Sequence, residues 1–219
     1  MFFYLPEPLK LHIDSNLSGH FFSMRVNFGD VLKTTDLKCD LTEIKVTSID
    51  KKNRSLGFDI LKQEKLVKPS SRILFQAIID KLYLEKLVEI APLAGITKIY
   101  FFESNNSVLN KVSLDRLEKI LIRSCEQSEQ YFKTELEFID NDNFLKQIEI
   151  NKPIVLDLPQ TSQNSQIDLK ATNSIIVGPE GGFTDQERLS FKGLELDVIS
   201  LGETVFPAWM AGFVYFTRN

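Results

Sequence analysis

The sequence predicts an α/β protein: a small β-rich N-terminal domain, then a larger domain in which strands and helices alternate. Three observations predict it. Residues 1–66 hold short β-rich runs broken by turn residues. From residue 72, short apolar runs alternate with segments of helical periodicity. Late in the chain the apolar run Ile175-Ile176-Val177 enters Gly178-Pro179-Glu180-Gly181-Gly182-Phe183. Thr184, with Glu187 three residues on, then forms a capping box, so a helix starts at once.

In the N-terminal part, Val31-Leu32-Lys33, residues 41–46 and residues 55–60 read as strands. Phe28-Gly29-Asp30 and Asp50-Lys51-Lys52-Asn53 break them as turns. Closely spaced short strands suggest a small barrel. Pro69 and the serines beside it mark residues 67–71 as a linker.

Beyond the linker, residues 72–78 read as a strand. Residues 81–94 read as a helix with Leu84, Leu87, Val88 and Ala91 on one face. Lys98-Ile99-Tyr100-Phe101-Phe102 is a strand, and a helix runs from Leu114, opened by Ser113, to about Phe132. Residues 153–157 form a strand, followed by a polar loop over residues 160–166. Residues 174–177, 185–194, 198–201 and 208–217 continue as strand, helix, strand, helix. This alternation implies a mostly parallel sheet covered on both faces.

Composition narrows the classes. With 219 residues, 43% hydrophobic and 26% charged, the chain suits two small domains or one large one. Most of its 17 Phe are expected in the core. A net charge of −4 excludes a global basic field, so nucleic-acid binding would need a local patch. Cys39 and Cys125 lie far apart without metal spacing, which argues against a zinc site or a disulfide scaffold and for free thiols in the cytoplasm. No stretch approaches the ~20 apolar residues of a membrane span, and the N-terminus does not read as a signal peptide. His12 and His20 stand too far from any acid or cysteine in sequence to suggest a triad.

The strand, glycine turn and capped helix together present backbone N–H groups at a sheet edge, where ligands bind in α/β proteins. The spacing is neither G-x-G-x-x-G nor a P-loop. On spacing alone, a ligand site and a plain sheet edge stay equally open.

The segment Gly178-Pro179-Glu180-Gly181-Gly182-Phe183-Thr184, with Glu187, resembles the signature of the RsmE family. These are SPOUT-class RNA methyltransferases acting on N3 of a uridine in small-subunit (16S) ribosomal RNA. The resemblance runs nearly the whole length. Arg25-Val26-Asn27-Phe28-Gly29-Asp30, with His20 upstream, looks like the arginine-then-Gly-Asp segment of that family's RNA-binding barrel. Residues 81–96, ending in Gly95-Ile96, and residues 116–128, closing on Glu126-Gln127-Ser128, are similar to two of its helices. Leu201-Gly202 matches the opening of its second cofactor loop. Departures are concentrated in charged side chains. Glu203 to Ala211 lacks the family's arginines, and Gln130 stands where an arginine is usual.

The resemblance implies a PUA-like β-barrel over residues 1–66 and a SPOUT methyltransferase domain, with a deep trefoil knot, over residues 72–219. It implies S-adenosyl-L-methionine as cofactor, gripped mostly through backbone by Leu156, Val177, Gly178, Pro179, Gly181, Gly182, Leu201, Gly202, Val205 and Ala208. Glu180, Glu126 and Arg123 are the candidates for activating or orienting the uridine. Arg25, Lys51, Lys52, Arg54, Arg116 and Gln127, with Lys111 nearby, are the candidates for RNA contact. Expected partners are 16S rRNA or the small ribosomal subunit and a second copy of the chain, with no metal and no membrane. The apolar segment from Trp209 to Phe216 fits a dimer interface or a core. The lost arginines leave two other readings open: an rRNA-binding assembly factor without catalysis, and a SPOUT enzyme acting on another RNA.

Overall fold

The computed structural model describes residues 1–6, 12–13 (backbone only), 21–53, 55–108, 113–159 and 172–218. His20, Arg54, Lys111 and the loop expected over residues 160–166 lie outside the described residues, as does the side chain of His12. The chain forms two compact units, Met1–Lys68 with Ile122–Lys133, and Pro69–Leu121 with Thr134–Asn219.

The first unit is built on five strands: β1 (Phe2–Tyr4), β2 (His12–Ile13), β3 (Val31–Thr35), β4 (Asp40–Asp50) and β5 (Ser55–Lys65). Their order in the sheet is β1-β3-β4-β5-β2. β1 runs parallel to β3, and the other pairs are antiparallel. β4 and β5 are longer than their β-rich cores suggest, at 11 residues each. Their hairpin turns on Asp50, whose Oδ1 accepts from the N–H groups of Lys52 (2.9 Å) and Asn53 (3.0 Å). Alternation puts Leu32, Ile44, Val46, Leu56 and Phe58 into one core, where Phe3 stacks on Phe21 at 4.2 Å between ring centres.

The second unit carries β6 (Ile73–Ala77), β7 (Lys98–Phe102), β8 (Glu135–Phe138), β9 (Ile154–Leu156), β10 (Ser174–Val177) and β11 (Val198–Ile199). They form one sheet in the order β11-β9-β10-β6-β7-β8, and every pair is parallel. The helices are α1 (Lys81–Ile90), α2 (Leu114–Gln127), α3 (Asn141–Asn151), α4 (Asp185–Gly193) and α5 (Ala208–Arg218). A 3-10 turn, Pro92–Ala94, follows α1. β8 and α3 are additions to what the sequence predicts.

Side chains alternate across the sheet, so Phe75 and Ala77 face one layer and Leu74 and Gln76 the other. On the first face they meet Phe144 and Ile148 of α3 and Phe191 of α4. On the second, α5 comes close through Gly212, where an added Cβ would stand 3.0 Å from Leu74 Cδ2. α1 packs there too, against α5.

α2 ends at Gln127, short of the expected Phe132. Glu129 takes a left-handed φ of 53°, and the Gln130 N–H closes back onto the Cys125 carbonyl at 2.9 Å. That wide hydrogen bond terminates a helix. From Ile122 onward this segment belongs to the first unit.

Candidate functional site

Parallel strands all end at one edge, and ligands collect in the crevice their loops leave there. In the second unit three such loops meet. They are Gly178–Phe183 after β10, Asp157–Pro159 after β9 and the segment from Leu201 to Pro207 after β11. With Tyr83 of α1 and Ala208, Trp209 and Ala211 of α5 they enclose a cavity of about 500 Å³. This is within the range that takes a small-molecule cofactor. Its walls are mainly apolar and backbone, and the lining residues include the carboxylates of Asp157 and Glu180 but no Lys, Arg or His.

The glycine turn is tightly specified. The Gly182 N–H donates to the Pro179 carbonyl at 2.9 Å, with Gly182 at φ 69°. A Cβ on Gly178 would stand 3.1 Å from the Phe183 ring. Thr184 caps α4, and the reciprocal bonds of the capping box with Glu187 are both present. Amides outside the turn hold its two ends. Gln76 Nε2 donates to the Gly178 carbonyl at 3.3 Å, and Asn106 Nδ2 donates to the Gly182 carbonyl at 3.0 Å. The Asp80 N–H donates to Glu180 Oε1 at 3.0 Å, tying that side chain to the start of α1.

Two charged groups brace the loops. Asp157, its side chain 3% exposed, accepts from Arg188 Nε at 2.7 Å and from the Leu158 N–H at 2.8 Å. The Asp157 carboxylate in turn holds the Arg188 guanidinium above its usual range. Glu187 accepts from Ser104 Oγ (2.6 Å), the Asn105 N–H (3.0 Å) and the Thr184 N–H (2.8 Å). Burial alone would raise the Glu187 carboxyl, but these donors outweigh it and hold it below its ordinary 4.5. A depressed carboxyl contributes stability that is present above about pH 4.5 and lost as pH falls through the lower folded-state value. Glu187→Gln is therefore expected to lower the melting temperature near pH 7 and to flatten the loss on acidification. Calorimetric melts between pH 7 and pH 3 check both; parallel acid limbs in the two proteins would refute it.

Leu156, Val177, Gly178, Pro179, Gly181, Gly182, Leu201, Gly202, Val205 and Ala208 all line the cavity, and so does Glu180. The other candidates lie elsewhere. Glu126 belongs to the first unit, where its Oε1 accepts from the Tyr4 N–H at 2.9 Å. Arg123 is exposed on the same stretch of α2, as is Gln127. Arg116 is engaged by Glu85, with Nη2 to Oε2 at 2.9 Å. Arg25 is exposed at φ 56°, and Lys51 and Lys52 are exposed at the β4–β5 hairpin. Trp209, expected in a core or an interface, lines the cavity beside Phe206 and Pro207. Sequence reasoning missed Asp157, Leu158 and Tyr83 as lining residues. The first two directly follow a strand, which is a usable signal, whereas nothing in the sequence around Tyr83 marks it. Among the described residues no group of three or more His, Cys, Asp or Glu could hold a metal ion, and no helix is long and apolar enough to cross a membrane.

Known proteins resemble this chain in sequence and in fold. Residues 67–217 match the family model of an RNA methyltransferase domain. A ribosomal RNA small subunit methyltransferase E of Helicobacter pylori is 33% identical over 133 residues, covering 58% of this chain. The matched part spans 57% of that relative's length. The enzyme of the same name from Rickettsia conorii is 30% identical over 218 residues, covering 93% of this chain and 86% of its own. Among solved structures, the Neisseria gonorrhoeae protein of that name, bound to S-adenosyl methionine, superposes with a TM-score of 0.84 at 21% identity, covering 99% of this chain and 95% of its own. A probable rRNA-methyltransferase from Porphyromonas gingivalis superposes with a TM-score of 0.82 at 23% identity, over 99% of this chain and 95% of that one. At these identities the superpositions establish a shared fold.

Proposed function

We infer the function from kinship: the chain belongs to the ribosomal RNA small subunit methyltransferase E family. It is a SPOUT-class RNA methyltransferase that uses S-adenosyl-L-methionine, and we propose N3 of a uridine in 16S ribosomal RNA as the atom methylated. The observation that carries this reading is the single cavity formed by the glycine turn, the Leu201-Gly202 loop and the end of β9. Its residues fit the cofactor. The volume is adequate, the walls suit an adenosine, and among the described residues no cationic side chain lines it to repel a sulfonium. When bound, the cofactor supplies an electrophilic methyl group on that sulfonium.

The protein's own part is to bind, align and deprotonate. Leu156, Val177, Gly178, Pro179, Gly181, Gly182, Leu201, Gly202, Val205 and Ala208 are assigned to the cofactor. They hold it mostly through backbone, which fixes the line of attack. Uridine N3 carries a weakly acidic proton that must leave as the N–C bond forms. Of Glu180, Glu126 and Arg123, Glu180 is the one that lines the cavity, and we assign it to accept that proton or orient the uracil. Glu126 and Arg123, which belong to the first unit, stay as the other candidates for activating or orienting the uridine.

RNA contact is assigned to Arg25, Lys51, Lys52, Arg54, Arg116 and Gln127. Charge distribution supports this. Residues 1–68 carry 11 Lys and Arg against 9 Asp and Glu, although the whole chain is at −4. Phosphate contacts of this kind give salt-sensitive affinity. For Arg116, contact requires exchanging Glu85 for phosphate.

The proposed organisation is a PUA-like barrel over residues 1–66, a linker over 67–71 and a knotted SPOUT domain over 72–219, in a cytoplasmic homodimer. Leu82 and Val205, each 58% exposed, and the half-buried Trp209 give the second unit an apolar surface suited to a second copy.

The test is a calorimetric titration with S-adenosyl-L-methionine, followed by methyl transfer to small subunits lacking the modification. Saturable binding near one per chain with transfer to uridine N3 is expected. Binding without transfer to any RNA would instead favour the non-catalytic reading, which the arginine-free segment from Glu203 to Ala211 keeps in play.

A further inference from the structure

The glycine turn is held by one side chain at the end of β6 and one in the loop after β7, and among the described residues neither loop lines the cavity. Gln76, at the end of β6, donates Nε2 to the Gly178 carbonyl at 3.3 Å and to the Ala77 carbonyl at 3.2 Å. Asn106, in the loop after β7, donates Nδ2 to the Gly182 carbonyl at 3.0 Å. The two amides therefore grip the first and last glycine carbonyls of the turn. In a planar trans peptide the C=O and N–H point opposite ways. Fixing the Gly182 carbonyl thus fixes the direction of the Phe183 N–H, and fixing the Gly178 carbonyl sets the plane that leads into Pro179.

Neither side chain is explained by packing. Gln76 is fully buried, and its Oε1 has no hydrogen-bond partner among the described residues. An unpaired buried carbonyl oxygen is destabilising, so an apolar side chain of the same size would serve a core better. Asn106 is exposed. Its loop is nevertheless fixed from several directions. The Ser104 N–H donates to Ser107 Oγ at 3.0 Å, and Ser104 Oγ donates to Glu187 at 2.6 Å. Asn105 Nδ2 donates to Thr184 Oγ1 at 3.2 Å. Asn106 also lies directly against the turn, since a Cβ on Gly181 would stand 3.3 Å from Asn106 Cβ.

We propose that Gln76 and Asn106 are positioning residues that hold the glycine turn in the shape that receives the cofactor. The proposal rests on the reading of this cavity as the S-adenosyl-L-methionine site.

The experiment uses the full-length chain and four variants. Asn106→Ala, which cannot donate, is expected to weaken S-adenosyl-L-methionine binding about 5- to 10-fold, the factor that one lost hydrogen bond gives. Asn106→Asp, which sets a carboxylate against the Gly182 carbonyl, is expected to weaken it further. Gln76→Met keeps the shape and removes both donor and orphan oxygen. It is expected to weaken binding while leaving the melting temperature level or higher, a pairing that a merely structural role does not produce. Asn106→Gln, with the donor amide retained, is expected to recover part of the affinity. Amide hydrogen exchange over residues 181–183 is followed in each variant without ligand, and it is expected to quicken in Asn106→Ala and in Gln76→Met. Unchanged binding together with unchanged exchange in those two variants would overturn the proposal. If the wild-type protein itself bound no cofactor, the reading of the cavity would fail. The role toward the cofactor would fall with it, and exchange would decide the rest: quickened exchange upholds the hold of the two amides on the turn, and unchanged exchange ends it.

Discussion

Gly181→Val is expected to abolish measurable binding of S-adenosyl-L-methionine while the protein stays folded. A Cβ at Gly181 would stand 3.3 Å from Asn106 Cβ, tighter than ordinary contact. Valine adds two methyl groups beyond that atom, with little rotamer freedom to turn them aside. The added bulk must either enter the cavity or push the Asn106 loop away from the Gly182 carbonyl. The exposed loop relieves the clash by moving, and restoring the receptive shape on binding then costs roughly 1–3 kcal/mol, which at 1.4 kcal/mol per decade approaches about a 100-fold loss of affinity before any direct block of the ligand. Gly181 is exposed, so the core is untouched and the melting temperature should move little. Gly193→Val is the control, because a Cβ there meets nothing within 4 Å. Normal binding by a folded Gly181→Val protein would remove the cavity assignment.

Phe75→Ala is expected to be the most damaging single truncation for stability. Phe75 is fully buried on an interior strand of the six-stranded sheet. Its ring stacks on Tyr100 at 5.0 Å and meets the edge of Phe144 at 6.0 Å. Removing a buried phenyl ring costs about 3–5 kcal/mol through lost transfer energy and the cavity left behind. For a unit of this size each kcal/mol shifts the transition by about 2–4 °C. Calorimetry should therefore show the second unit melting roughly 6–20 °C lower. A change within about 2 °C would mean that the aromatic cluster repacks, contrary to the close packing described.

The strands that carry the site were legible in the sequence because a strand covered on both faces is an uninterrupted apolar run. β7 and β10 are found at the residues expected, bounded by polar or turn residues on each side. The start of α4 was legible for a different reason, since a capping box needs partners only three residues apart. β8 and α3 were not. β8 reads Glu-Leu-Glu-Phe at the sheet edge, with its side chains exposed or half-buried. α3 buries only Phe144 and Ile148, while its other apolar residues, Leu145 and Ile150, are exposed, so its apolar pattern marks no clear buried face. β1 has three residues and pairs in parallel with a strand about 30 residues later, which no local pattern marks. The same contrast holds at the cavity. The loops after β10 and β11 could be read because each follows a strand and carries glycine. Gln76, Asn106 and the Asp157–Arg188 pair could not, because each side chain meets a partner between 31 and 102 residues away in sequence.

The sheet order has a consequence for how the protein is made. β7 follows β6 closely in sequence and is available to pair with it early in synthesis, but the other edge of β6 waits for β10, which begins about 100 residues later. At 5–20 residues per second that interval is roughly 5–20 s. Throughout it, Ile73, Leu74 and Phe75 present an apolar strand with one row of unpaired backbone groups, the template on which other nascent chains can add. Loop closure over such a separation is slow compared with local pairing. Slower translation between residues 77 and 174 therefore lengthens the time for which this edge stands open.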